Sequence, residues 1–112
     1  MRCNIIIKEG RRKRYIGFTI KQKDNIFDKN EIINEIRNQC TILFDKNYRD
    51  LGLYLVRFNG ERGILRCKHT EKQNAIQLLN SIKKVSSKNV EIETLGTSGT
   101  IKTLIKKHMK DF

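Results

Sequence analysis

The order in which two hydrophobic periods alternate along the chain restricts its fold more tightly than any other feature. Residues 14–20 alternate at period two, with Ile16, Phe18 and Ile20 on one side and Tyr15, Gly17 and Thr19 on the other. From Ile32 the period changes. Ile33, Ile36, Cys40, Leu43 and Phe44 follow at offsets of 1, 4, 8, 11 and 12, which is one face of a helix of about four turns. Asp28 stands before it as an N-cap, and Glu31 occupies the capping-box position three residues on. Residues 51–58 are apolar on both parities, as in a strand covered on both faces or lying at the sheet centre. Residues 59–63, Asn-Gly-Glu-Arg-Gly, form a glycine-flanked turn before a returning strand over 64–69. The pair reads as a β-hairpin with a loop of four or five residues. Thr70 is placed to cap a second helix, with Gln73 at its capping-box position. Its inward residues are Ala75, Leu78, Leu79 and Ile82, with Ile76 at the margin. Residues 86–89 interrupt the pattern and residues 90–95 form a last strand. After Gly96-Thr97-Ser98-Gly99, residues 100–112 put Ile101, Leu104, Ile105, His108 and Met109 on one helical face.

The order is therefore β-α-β-β-α-β plus a C-terminal helix. It predicts an α+β, ferredoxin-like (RRM-like) sandwich, an antiparallel sheet with two helices on one face. The other face stays free for a partner except where the terminal helix covers it. A length of 112 residues supports one core and leaves little room for two. Residues 1–13 read as a basic N-terminal arm, with a short strand over 4–8, and residues 14–112 as a single α/β sandwich domain. No apolar run approaches the roughly 18 residues of a membrane span, and Ile5–Ile7 is too short for a signal peptide, so no membrane association is expected. Cys3, Cys40 and Cys67 are widely spaced and form no C-x-x-C pair. Cys67 and His69 resemble half a metal site, but His108 is the only other imidazole. They read as buried or half-buried thiols in a reduced compartment, so an intracellular, cytoplasmic protein with no metal of its own is expected.

The net charge of +12 identifies a class of partner and says nothing about fold. A pI near 9.9 meets the electrostatic criterion for a nucleic-acid binder, although a solvated lysine surface would produce the same total. Position decides between them. One basic group is Lys8, Arg11, Arg12, Lys13 and Arg14; a second is Arg57, Arg62, Arg66 and Lys68; a third is the lysine face of the last helix, with Lys102, Lys106, Lys107 and Lys110. The arginines favour phosphate, which a guanidinium binds in a bidentate way. Ser98-Gly99-Thr100 opens a helix whose free N–H groups and dipole attract an anion, with Lys102 one turn in. Ordinary capping by Ser98 or Thr100 explains the same residues without any ligand.

Other chemistries find fewer parts. The aromatic signature of an RNA-recognition motif is missing from residues 63–69, and Tyr15 and Tyr54 are the only plausible platform rings, so base stacking is discounted. Gly60-Glu61-Arg62-Gly63 matches a G-x-x-G phosphate clamp, but it lies between strands, where a hairpin needs glycine anyway. Glu91 and Glu93 share a strand face and read as solvated rather than as Mg²⁺ ligands. An acylphosphatase-like enzyme needs a glycine-rich phosphate loop after the first strand, and residues 21–25 contain no glycine. No catalytic residue is assigned to the chain.

Three segments together carry a family resemblance. They are the R-x-R-Y-hydrophobic-x-F run at residues 12–18, the strand pair at 54–67 ending Ile-Leu-Arg-Cys, and Gly96-Thr-Ser-Gly-Thr-Ile-Lys102. The chain resembles, over about residues 11–107, protein component 2 of archaeal and eukaryotic ribonuclease P. The resemblance implies a protein subunit of an RNA enzyme that removes 5′ leaders from precursor tRNA. Catalysis then belongs to the RNA, which requires Mg²⁺, while the protein binds no cofactor. It implies the catalytic RNA, precursor tRNA and the barrel-shaped component 3 as partners, often with two copies of each protein. It also carries over Arg12, Arg14, Arg57, Arg66, Ser98, Gly99, Thr100 and Lys102 as RNA contacts. Charge clustering adds Arg11, Lys13, Arg62, Lys68, Lys106 and Lys107 to that set, and Tyr15, Tyr54 and Leu95 are candidates for the protein-partner surface. The alternatives are a ribosomal or general RNA-binding protein of this fold, or a small acylphosphatase-like enzyme.

Overall fold

The computed structural model describes residues 12–21, 27–85, 88–110 and 112. The expected strand over 4–8 and Arg11 lie outside these residues. The elements are β1 (Lys13–Ile20), α1 (Lys29–Phe44), β2 (Tyr54–Phe58), β3 (Arg62–Lys68), α2 (Lys72–Ser81), β4 (Lys84–Val85), β5 (Lys88–Asn89), β6 (Ile92–Ser98) and α3 (Ile101–His108). Four strands form an antiparallel sheet in the order β2-β3-β1-β6. The ferredoxin-like expectation holds: an antiparallel sheet, two helices on its inner face, and a third helix across the outer face.

The period-two residues of β1 separate the two faces as their alternation requires. Ile16, Phe18 and Ile20 are buried on the inner face with Ile32, Ile36 and Cys40 of α1 and Ala75, Leu78 and Leu79 of α2. The Glu31 side chain accepts the Asp28 N–H at 2.8 Å, so the capping box at the start of α1 forms. At the other end of α1, Leu43 is exposed, because Phe44 makes the core contact there.

Four boundaries differ from expectation, each for a local reason. Residues 51–58 are not one strand. Asn47 accepts the Arg49 N–H, and Gly52 adopts φ 68°, which closes a 3₁₀ turn over Tyr48–Leu51 and buries Leu51 in the inner core. The strand that remains, β2, is at the sheet edge rather than its centre, and a bulge between Leu55 and Arg57 turns Val56 and Arg57 to the outer face. Thr70 does not cap the second helix. The His69 N–H is donated to the Arg12 carbonyl, so strand-like bonding continues to residue 69; a 3₁₀ turn over His69–Glu71 follows and α2 starts at Lys72. The last strand runs on through Gly96, Thr97 and Ser98, because a bulge at Leu95 restores pairing with Gly17, Ile16 and Tyr15. Finally, β4 and β5 form a small hairpin of their own.

The terminal helix lies on the outer face over a seam of two glycines. Gly17 and Gly96 pair across β1 and β6, and a Cβ on either would meet Met109 Sδ or the His108 ring at about 2.5 Å. Without side chains at the seam, α3 approaches closely enough to bury Ile64, Leu104 and Met109 in a second cluster flanked by Tyr15, Val56, Leu95, Ile101, Ile105 and Phe112. Gly96→Val is therefore expected to lift α3 and to destabilise the protein by about 1–3 kcal/mol through overpacking. Hydrogen exchange checks this: α3 amides should lose protection more than β1 or β3 amides, and an unchanged α3 would refute the seam. No described helix is long and apolar enough to cross a membrane.

Candidate nucleic-acid interface

Antiparallel pairing brings the start of β1, the end of β3, the start of β2 and the end of β6 to one end of the sheet. On the outer face there, Ser98, Tyr15, Arg66 and Tyr54 form a single row across all four strands. At about 4.8 Å between strands the row spans roughly 14 Å. The next row toward the sheet end pairs Lys13 with Lys68. Arg12 is exposed beyond it, and Gly99 and Thr100 turn the chain into α3 beside Ser98.

Arg14 points to the edge of this end. Its Nε donates to His69 Nδ1 at 3.4 Å, and its guanidinium lies 3.4 Å from where a Cβ of Gly99 would sit. Arg12, Lys13, Arg14, His69 and Gly99 line a shallow groove of about 350 Å³. The expected basic groups are thus partly joined. The segment at residues 12–14, Arg66 and Lys68 of the hairpin, and the Ser98–Lys102 turn converge, although about fifty residues of sequence separate the first from the second and about thirty the second from the third.

The remaining candidates lie elsewhere. Arg62 pairs with Thr19, three rows of outward residues from Lys68 and about 20 Å away along the strands. Arg57 sits over the Phe112 ring at 5.7 Å, below the C-terminal end of α3. Lys106 and Lys107 are exposed on α3, away from the Ser98 turn. The turn itself is shorter than its residues suggest: Ser98 belongs to β6, and the Thr100 side chain accepts the Thr103 N–H at 3.2 Å as a regular N-cap. Tyr15 and Leu95 pack under α3 in the second cluster, whereas Tyr54 is 54% exposed.

The Arg14–His69 contact was not among the sequence candidates. Its one signal is that residues 12–14 and 67–69 stand at opposite ends of two strands that pair antiparallel, which only register reveals. The nearby thiol has no part in the surface. Cys67 is buried, and burial foremost, with Glu71 second, pushes its pKa up to about 11. Cys40 is likewise shifted upward, by burial first. Among the described residues no group of His, Cys, Asp or Glu is arranged to hold a metal ion, and Glu93 is ion-paired with Lys21 at 3.5 Å. What the sheet end presents is a set of cations and hydrogen-bond donors around one exposed aromatic ring.

Comparison with known proteins places this surface in a family context. A ribonuclease P protein component 2 from Archaeoglobus fulgidus is 34% identical over 99 residues, covering 88% of this chain and 90% of the relative. Its counterpart from Pyrococcus furiosus is 32% identical, covering 90% and 86%, and that from Methanosarcina acetivorans is 28% identical, covering 90% and 76%. Among solved structures, a chain in the cryo-EM structure of yeast ribonuclease MRP shares the fold at a TM-score of 0.64, with 12% identity and coverage of 80% of this chain and 76% of that one. The Rpp14/Pop5 family model matches residues 14–109, from the first strand to the end of the outer-face cluster, so the chain belongs to the Rpp14/Pop5 family.

Proposed function

We propose that this chain is a protein subunit of ribonuclease P, supporting the catalytic RNA in removing 5′ leaders from precursor tRNA. The observation that carries the reading is the convergence of Arg12, Lys13, Arg14, Arg66 and Lys68 at one sheet end, in a family whose relatives are named as ribonuclease P components. Guanidinium and ammonium groups on a rigid sheet position phosphates without reading sequence, which suits a protein that holds a folded RNA in shape. In this reading the chemistry and its Mg²⁺ belong to the RNA. The protein works in the cytoplasm beside component 3, two copies of each forming the protein core of the particle.

Reconstitution tests it. The purified chain alone should leave precursor tRNA intact, and adding it with component 3 to the cognate RNA should lower the Mg²⁺ concentration needed for cleavage. Mg²⁺-dependent cleavage by the lone protein would overturn the assignment. Recovery of ribosomal RNA, rather than the ribonuclease P RNA, with the tagged chain would favour a general RNA-binding role.

A further inference from the structure

We infer that Tyr54 and Arg66 form a stacking site for one unpaired nucleobase of the bound RNA, an inference that rests on the RNA-subunit reading. Tyr54 opens the edge strand β2 and is 54% exposed, far more than an aromatic ring needs to be in a chain with two apolar clusters to receive it. The other two tyrosines are packed away: Tyr15 lies under α3, and Tyr48 packs against the inner core with the Arg37 guanidinium over its ring at 4.2 Å. Tyr54 alone combines an exposed ring with a place in the basic row at the end of the sheet.

Its partner is held in place from below. Arg66, directly opposite in register, puts its guanidinium carbon 4.8 Å from the Tyr54 ring centroid. The Arg66 Nε is buried and makes no hydrogen bond among the described residues. A buried donor without a partner is costly. Fixing Arg66 against Tyr54 at that cost leaves a planar cation and an aromatic ring side by side, the pair that single-stranded nucleic-acid sites use for base stacking and phosphate contact.

The surroundings specify the occupant. Lys68 and Lys13 form the adjacent row, and Ser98 closes the row containing Arg66. A strand whose phosphates follow these cations brings a base to the Tyr54 ring. An apolar protein segment would have to bury those same cations. This is not the central-strand platform of an RNA-recognition motif, because α3 covers Tyr15, the ring that would complete it. The site takes one base, at the sheet edge.

The test compares the full-length chain with Tyr54→Ala, Tyr54→Phe and Arg66→Lys on two probes: an eight-nucleotide single-stranded RNA and an RNA duplex of equal phosphate count. Tyr54→Ala should weaken single-strand binding roughly 10-fold or more while changing duplex binding less than about twofold. Tyr54→Phe, which keeps the ring, should bind as the parent. Arg66→Lys keeps the charge but loses the plane, and should weaken single-strand binding more than duplex binding. Tyrosine fluorescence should be quenched by the single strand in the parent and not in Tyr54→Ala. Equal losses on both probes, or loss in Tyr54→Phe as large as in Tyr54→Ala, would overturn the stacking site. So would a Tyr54→Ala protein that binds normally, even if it fails only with component 3. If the parent binds neither probe, the RNA-subunit reading itself fails, and the two failures are thereby distinguished. Tyr54 is an exposed edge residue, so unchanged thermal melting of Tyr54→Ala serves as the folding control.

Discussion

RNA affinity is expected to fall by about three decades as monovalent salt rises from about 50 to about 200 mM. Six cations stand at the interface end of the sheet: Arg12, Lys13, Arg14, Arg66, Lys68 and Lys102. If each neutralises one phosphate, counterion release sets a log–log slope of about −5 on duplex RNA and about −4 on single strands. The geometry sharpens this into a positional test. Removing one of these cations, as in Arg12→Ala or Lys68→Ala, should reduce the slope by about one and weaken all sequences alike. Arg62→Ala, at the opposite end of β3, should leave the slope unchanged. A salt-independent affinity, or an Arg62 variant as impaired as the Lys68 one, would remove the sheet end from the binding surface.

The largest stability effect is expected at Phe18. Phe18→Ala should lower the unfolding free energy by about 3–5 kcal/mol, against a total of about 5–15 kcal/mol for a domain of this size. Phe18 is fully buried at the centre of the inner face, its ring 6.4 Å from that of Phe58 in a stacked arrangement. Its Cζ also fills the space above Gly63 on the neighbouring strand. Truncation leaves a cavity between two strands and two helices, where relaxation is restricted from every side. Urea unfolding measures it, with Ile42→Ala as the comparison. Ile42 is 65% exposed on α1, so its loss should fall within about 0.5 kcal/mol. A Phe18 variant no less stable than the Ile42 one would contradict the central position of the inner core.

Much of this was legible from residue periods alone. Ile16, Phe18 and Ile20 could only face one way on a strand, and Ile32, Ile36 and Cys40 only one way on a helix, because both periods are set by local backbone geometry. The same locality explains the errors. The apolar run at 51–58 hid a 3₁₀ turn, because Leu51 serves the core equally well from a turn as from a strand. Thr70 had the right residue type for a cap, but a bond from His69 to Arg12, distant in sequence, moved the helix start. Gly96-Thr97-Ser98 had the composition of a turn, yet β1 offered it pairing groups and it became strand.

The candidate site divides along the same line. The identity of the basic residues, their arginine content and the family they point to are all present in the sequence, because they depend on residue type and spacing. Which of them act together is not. Arg14 meets His69 across 55 residues of chain, Tyr54 meets Arg66 through hairpin register, and Arg62 parts from Lys68 although only five residues intervene. A sequence determines which faces its segments will bury, since those periods are local. Which side chains share a surface is decided only by strand register and by the close seat of α3 on Gly17 and Gly96. Both are long-range choices made when the apolar faces find one another.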